Sequence, residues 1–275
     1  MLHRQQKYGT TRLKTLQELW RFRSYVRSSI DRDFNLRYKG SALGSALIFL
    51  VPAFQILLYV LVFGNLLKGR LPGNPTMYGY SIYLCSGILF WNFFSDLVQR
   101  SQVVYLENAN LLKKAAFPSS ALSVVNFFSV SITLALSLAI LLAFLVLTGQ
   151  TPDWRVLGLI PIWLIVGSLA LGIGLCIAVL QVFFRDFGAL TTMGLQLLFW
   201  STPIVYPAQI LPHWLLPWIQ LNPLVAPFGA AQAVMLGSEL PPIQAWASTA
   251  LLGGTSVLLA IRLHTRNRAD LMDNL

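Results

Sequence analysis

The sequence predicts an all-α integral membrane protein. It has six transmembrane helices, an N-terminal amphipathic interface helix, and short re-entrant helices between spans 5 and 6. Three observations predict this. Of the 275 residues, 56% are hydrophobic and only 11% charged, less than half the charged share of an ordinary soluble domain. Lys, Arg, Asp and Glu are missing altogether from residues 40–67, 71–95, 115–152, 156–184, 187–238 and 240–261, and each stretch reaches the roughly 20 residues that a spanning helix needs. Half of the 20 Lys and Arg precede residue 40. Most of the rest (Arg100, Lys113, Lys114, Arg185, Arg262, Arg266 and Arg268) fall on the same side of a six-span chain, leaving Lys68, Arg70 and Arg155 opposite. That bias places basic ends and loops in the cytoplasm, and both termini with them.

The elements follow in order. Residues 1–40 form a cytoplasmic N-terminus. From Leu13 to Leu36, Leu16, Leu19, Trp20, Phe22, Val26, Ile30 and Phe34 recur at helical spacing between Lys14, Arg21, Arg27 and Arg32. A basic amphipathic helix of this kind lies along the lipid interface; packing on a protein partner is a compatible reading. Residues 41–264 hold the spans, at about 42–66, 80–98, 121–147, 157–183, 189–205 and 243–263, and residues 265–275 are a cytoplasmic tail. Pro52 should kink the first span. Pro72, Gly73 and Pro75 mark an outside turn, and Gly167, Gly172 and Gly174 are close-packing positions in the fourth span. The long chargeless stretch 187–238 has room for two spans. A seventh span, however, would put Arg262, Arg266 and Arg268 outside, and Pro203, Pro207, Pro212, Pro217, Pro223 and Pro227 break any lipid-facing helix. One span followed by a re-entrant segment, 207–238, fits both facts, because irregular backbone at membrane depth is tolerated where protein or a cavity surrounds it.

Several functions are excluded or weakened. The net charge of +10 comes from membrane-flanking residues, so nucleic acid is not the expected partner; anionic lipid is. Cys85 and Cys176 lie in apolar segments, which argues against a disulfide framework. No phosphate-binding G-x-x-x-x-G-K-[ST] loop occurs. His3, His213 and His264 are too scattered for a metal site. Asp153 and Glu239 stand at helix starts, where the helix dipole favours them. The span interiors carry almost no ionisable group, Asp96 near one end being the exception, and ion-coupled transporters need such groups. A chain that moves substrate uphill without them must take its driving force from a partner.

The run Arg32-Asp33-Phe34-Asn35-Leu36-Arg37-Tyr38-Lys39-Gly40-Ser41-Ala42-Leu43-Gly44 resembles the beginning of the first span in polysaccharide-export permeases of the ABC-2 type, such as exporters of O-antigen, capsule and teichoic acid. Asn108-Ala109-Asn110-Leu111-Leu112-Lys113-Lys114 with Phe117-Pro118 is similar to that family too. So are Phe183-Phe184-Arg185-Asp186, Pro203-Ile204-Val205-Tyr206-Pro207 and Asn222-Pro223-Leu224, in the family's order. Leu47 stands where the family often has Trp, and Ser123 where it often has a second Pro.

The resemblance implies a permease subunit in the bacterial inner membrane, working as a homodimer on two nucleotide-binding ATPase subunits. Those partners would bind ATP and magnesium, so this chain would carry no cofactor, no metal and no catalytic residue. Glu107, Asn110, Lys113, Lys114, Arg185 and Asp186 would couple to the ATPase; ordinary helix-end charge is the simpler reading of the same residues. The substrate would be a glycan on a polyprenyl diphosphate. Trp91, Phe94, Phe199, Trp200 and Tyr206 are candidate channel aromatics, with core or lipid contact as their alternative. Arg32, Arg37 and Lys39 are candidates for the diphosphate or for lipid headgroups. A drug or small-lipid exporter of the ABC-2 type is the nearest rival; a membrane-embedded glycosyl or prenyl transferase would need an Asp-rich metal site, for which only Asp31 with Asp33 offers itself. The topology is directly checkable: a reporter fused after Leu275 should be active only from the cytoplasmic side, and activity from outside would overturn the six-span reading.

Overall fold

A computed structural model describes residues 22–38, 44–66, 78–113, 119–149, 153–238 and 240–274. Among them there is no strand. Helix α1 is Arg23–Tyr38. Helix α2, Gly44–Tyr59, contains Pro52 and loosens into a π-helical stretch at Val60–Leu66. Helix α3 is Gly79–Glu107 and the single turn α4 is Ala109–Leu112. Helix α5 is Ser119–Leu147, and α6, Leu159–Phe183, follows a 3-10 turn at Trp154–Gly158. Helix α7 is Phe187–Ser201. A 3-10 turn at Ala208–Ile210, α8 at Leu216–Gln220 and α9 at Val225–Leu236 lead to α10, Ile243–Arg266, and α11, Arg268–Asn274. The outside turn at Pro72–Pro75, Lys39, Lys114, Phe117-Pro118 and Glu239 lie outside the described residues.

Among the described residues, four helices are long and apolar enough to cross a membrane: α3, α5, α6 with its leading turn, and α10. They correspond to predicted spans 2, 3, 4 and 6. The first and fifth predicted spans are helical but shorter in regular α geometry. Helix α7 has 15 residues, a rise of about 22 Å against a hydrocarbon core of about 30 Å. It stops four residues before the predicted end because Thr202 turns out of helical geometry (φ −103, ψ 131) and Pro203 supplies no amide hydrogen.

Helix α3 is the axis. It is the most covered of the four long helices and, with α10, the least apolar. The two facts have one cause. A helix enclosed by protein can carry Ser81, Ser86, Ser95, Ser101 and Gln102 on buried faces, whereas α5, apolar from Leu134 to Leu147 except for Ser137, has most of its surface left for lipid. Phe90, Phe93 and Phe94 are fully buried along α3.

Helix α6 is gripped from two sides through glycines. A Cβ on Gly172 would stand 2.7 Å from the Val257 backbone nitrogen and would collide with Ser256, while Gly253 of α10 meets Ser168 of α6 in the same way. Small residues on both helices thus bring the two backbones together. On another face, a Cβ on Gly174 would stand 2.5 Å from Ser101 Cβ and 2.9 Å from the Val98 carbonyl of α3; Gly167 admits the Phe127 and Phe93 rings. All three predicted packing glycines serve as such. Between α5 and α6 the Trp163 indole donates to Ser131 Oγ at 2.9 Å, and its ring lies 5.1 Å from that of Phe127.

Two apolar clusters result. The larger unites α2, α3, α5, α6, α7 and α9 around Phe90, Phe93, Phe94, Leu141, Ile162, Ile204 and Phe228. The smaller lies at the other end of α3 and holds Val104, Tyr105, Leu112, Leu122, Ala178, Val179 and Leu271. Outside them, α2 exposes Phe49, Leu50, Val51, Phe54, Leu57 and Leu58, and α10 exposes Leu251, Leu252, Leu258, Leu259 and Ile261. Apolar faces of this extent need a bilayer or another subunit over them. Gly172→Val should lower stability by about 1–3 kcal/mol through overpacking, read as a fall in the melting temperature of the detergent-solubilised protein. Gly194→Ala, where nothing lies within 4 Å of the added carbon, should show no loss.

Candidate functional site

The segment after α7 cannot be helical through Pro203 and Pro207, yet Thr202 and Ile204 are fully buried there. Its carbonyls therefore need donors from elsewhere in the chain. The Tyr83 hydroxyl donates to the Pro203 carbonyl at 2.7 Å and lies 3.0 Å from that of Tyr206. The Tyr80 hydroxyl donates to the Val205 carbonyl. Gln232 Nε2, from α9, also donates to the Pro203 carbonyl, at 3.3 Å. Gly87 permits this closeness, since a Cβ there would stand 2.7 Å from Gln232 Nε2 and 3.1 Å from Ile204. The second proline elbow is held likewise. Asn222 Nδ2 donates to Thr202 Oγ1 at 2.8 Å, Asn222 Oδ1 accepts from the Leu224 amide at 3.0 Å, and Thr249 of α10 donates to the Pro223 carbonyl at 2.5 Å. The two proline motifs noted in the sequence are thus one hydrogen-bonded assembly. Beside it, between α9 and α10, opens a cavity of about 690 Å³ whose polar lining, including Tyr83, Gln209, Gln220, Asn222 and Gln232, is uncharged.

The predicted aromatics separate into two groups. Trp91 and Phe94 are buried, their rings 5.7 Å apart. Trp91 also lies 5.3 Å from Phe199 and 6.4 Å from Phe228. Trp200, 5.4 Å from Phe199, is 60% exposed. Tyr206 is half-buried and donates its hydroxyl to the Trp200 carbonyl at 2.6 Å. The structure therefore brings Trp91, Phe94 and Phe199 into one cluster and leaves Trp200 as the aromatic of the five with most free surface.

At the opposite end, α4 turns its residues two ways. Leu112 is buried in the smaller cluster, while Asn110, with Glu107 at the end of α3 and Lys113 just after α4, is exposed. Arg185 and Asp186 are exposed in the turn joining α6 to α7, beside exposed Phe184. Asp186 makes no side-chain cap to α7, so capping does not account for its place there. Both turns lie beyond the same ends of α3 and α6. Nearby, the Arg100 side chain of α3 pairs with Asp33 of α1 at 2.9 Å, each about a quarter to a third exposed (23% and 34%). This pins α1 to the bundle by the Asp33 of the first motif. Arg32 is exposed; the Arg37 side chain is outside the described residues.

Sequence reasoning missed Tyr83, Gln232, Gly87 and Leu271. A signal existed for two of them. A lone Gln in the apolar run Val225–Leu236, and a Tyr hydroxyl inside a span, each demand a partner. Among the described residues, no group of three or more His, Cys, Asp or Glu gathers as metal ligands would.

A bundle of apolar helices, a proline-broken segment folded back onto them, and short polar turns at the other end together define a polytopic transport subunit. The chain belongs to the ABC-2 type transporter family, which it matches over residues 25–236, from α1 through α9. It is 28% identical to the O-antigen export system permease protein RfbA of Myxococcus xanthus, over 87% of this chain and 92% of that protein. Two proteins of the same name from Klebsiella pneumoniae are 27% and 26% identical, each over 71% of this chain and 74% of its own length. For the elbow, Tyr83→Phe should cost about 0.5–1.5 kcal/mol, because the Pro203 and Tyr206 carbonyls each lose a hydrogen bond while Gln232 Nε2 remains to the first; the melting temperature in detergent should fall while membrane insertion is unchanged.

Proposed function

We propose that this chain is the membrane subunit of an exporter that carries a lipid-linked, O-antigen-like polysaccharide across the bacterial inner membrane, as a homodimer driven by two separate ATPase subunits. The observation that carries the reading is the likeness to O-antigen export permeases over nearly the whole of both chains. The chain crosses six times in this reading, α2 and α7 supplying the two spans beyond the four long helices, with basic ends inside. Helices α8 and α9 then form the re-entrant segment at the outer face.

The physical features agree with the role. The spans are almost free of ionisable groups, so the driving force must be delivered mechanically at the inner turns. Helix α4 suits delivery: Leu112 anchors it in the bundle while Glu107, Asn110 and Lys113 face outward, and Arg185 and Asp186 offer a second charged contact. Helices α2 and α7 expose long apolar faces, and their separation between two copies would admit lipid and glycan. Trp200, with Phe199 and Tyr206, offers ring surface on which the apolar faces of sugars stack without demanding one linkage. Trp91 and Phe94 support those rings from behind. Arg32 and its neighbours Arg37 and Lys39 would meet the diphosphate at the inner mouth as paired donors.

Neutralising Glu107, Lys113 and Lys114 together, and Arg185 with Asp186 separately, should leave the permease in the membrane with its ATPase bound. Each change should nevertheless reduce surface polysaccharide and uncouple ATP hydrolysis from export. Wild-type surface display and ATP turnover in both variants would remove the coupling role.

A further inference from the structure

Helix α11 is too short to be stable alone, since helices below about 12 residues are marginal in water. It is nevertheless formed, and one side chain explains why. The chain leaves α10 at Asn267, where φ −101 and ψ 18 end the helix, and turns back so that Leu271 is buried at 1% exposure. Asp270 and Asp273 remain exposed on α11. Leu271 enters the same cluster as Leu112 of α4, together with Val104 and Tyr105 from the end of α3, Leu122 from the start of α5, and Ala178 and Val179 from α6. Leu263 of α10 packs against that cluster, and His264 joins it to α5 through a 3.0 Å contact between its Nε2 and Ser119 Oγ. Two short helices that carry little structure of their own thus insert one leucine each into a single close-packed knot. Close-packed interiors transmit displacement rather than absorb it.

We propose that α11 is part of the coupling apparatus: Leu271 holds the shared cluster in the shape that presents α4, so the C-terminal helix sets the pose in which α4 meets the ATPase. The inference rests on the coupling reading of α4 given above. Leu271 is a positioning residue acting through Leu112. The exposed carboxylates of α11 are not required.

The test uses the full complex in its native cell and after purification with its ATPase. Leu271→Ala, Leu112→Ala, the double variant, Leu271→Met and an Asp270→Asn/Asp273→Asn variant are compared for surface polysaccharide, for co-purifying ATPase and for MgATP hydrolysis. Leu271→Ala should retain the ATPase but lower export per ATP hydrolysed by roughly 2- to 30-fold, the range for changes that modulate coupling at a distance. The double variant should be no worse than the stronger single one. Leu271→Met should restore export, and the carboxylate variant should behave as wild type.

Unchanged export in Leu271→Ala, or additive losses in the double variant, would overturn the proposal. So would a defect confined to the carboxylate variant, which would make α11 a direct docking surface. The Glu107, Lys113 and Lys114 variant separates the two readings. If it is impaired while Leu271→Ala is not, only this inference falls. If it is unimpaired, the coupling role of α4 falls first and takes the inference with it.

Discussion

Leucine gains nothing by leaving lipid for another leucine, so apolar burial cannot hold a membrane bundle together as it holds a soluble core. What remains is close backbone approach and the obligation of every backbone polar group to find a partner inside the protein. Both are visible here and both involve α3. Gly172 and Gly253 let α6 and α10 touch, and Gly174 lets α6 touch α3. The hydroxyls of Tyr80 and Tyr83, both on α3, cap carbonyls that two prolines have stripped of helical partners. The bundle is built around α3, which receives Gly174 of α6 against Ser101 and Val98 on one side and offers the Tyr80 and Tyr83 donors on another.

The same constraint explains what was legible in the sequence. Chargeless length is a direct image of hydrocarbon thickness, so α5, α6 and α10 could be read to within about three residues, Ser119–Leu147 against 121–147 being typical. Helix α3 was read from its start but runs nine residues past the predicted end at 98, because Asp96 and Arg100 interrupt the chargeless stretch without ending the helix. The broken segment was legible as broken because six prolines forbid a lipid-facing helix. Its internal partners were not legible. Nothing in the local sequence ties Tyr83 to Pro203, 120 residues away, since that pairing exists only after α3, α7 and α9 have packed. The aromatics failed to sort for a similar reason. Trp91 and Trp200 read alike in composition, yet one is 9% and the other 60% exposed, and only the packing of Phe199 and Phe228 decides which. Leu271 sat in a polar tail where a single apolar residue carries no periodic signal.

The two ends of the molecule are built from different chemistry. At one end neutral amides and hydroxyls knit proline elbows beside an uncharged cavity. At the other, charged turns surround an apolar knot, and an ion pair there, Arg100 with Asp33, is partly shielded; such a pair fixes the orientation of α1 more than it adds stability. In the proposed role, the uncharged lining would meet the hydroxyl-rich part of the substrate, and the charged turns would meet the ATPase, where electrostatic complementarity sets register.

Helix α3 belongs to both ends. Tyr83 lies in the proline assembly and Tyr105 in the smaller apolar cluster, 22 residues apart on one unbroken helix, a span of about 33 Å at 1.5 Å per residue. A helix buried along almost its whole length cannot bend locally without displacing Gly174, Gly167 and the phenylalanines packed on it. Under the coupling role proposed for α4, which follows α3 after a single residue, force applied there would reach the proline elbows through α3, whose Tyr80 and Tyr83 bond carbonyls of that segment. In the proposed role, the scarcity of charge in the spans and the placement of donors on α3 would be two aspects of one design: work delivered at the charged turns would travel along α3 to the bonded carbonyls.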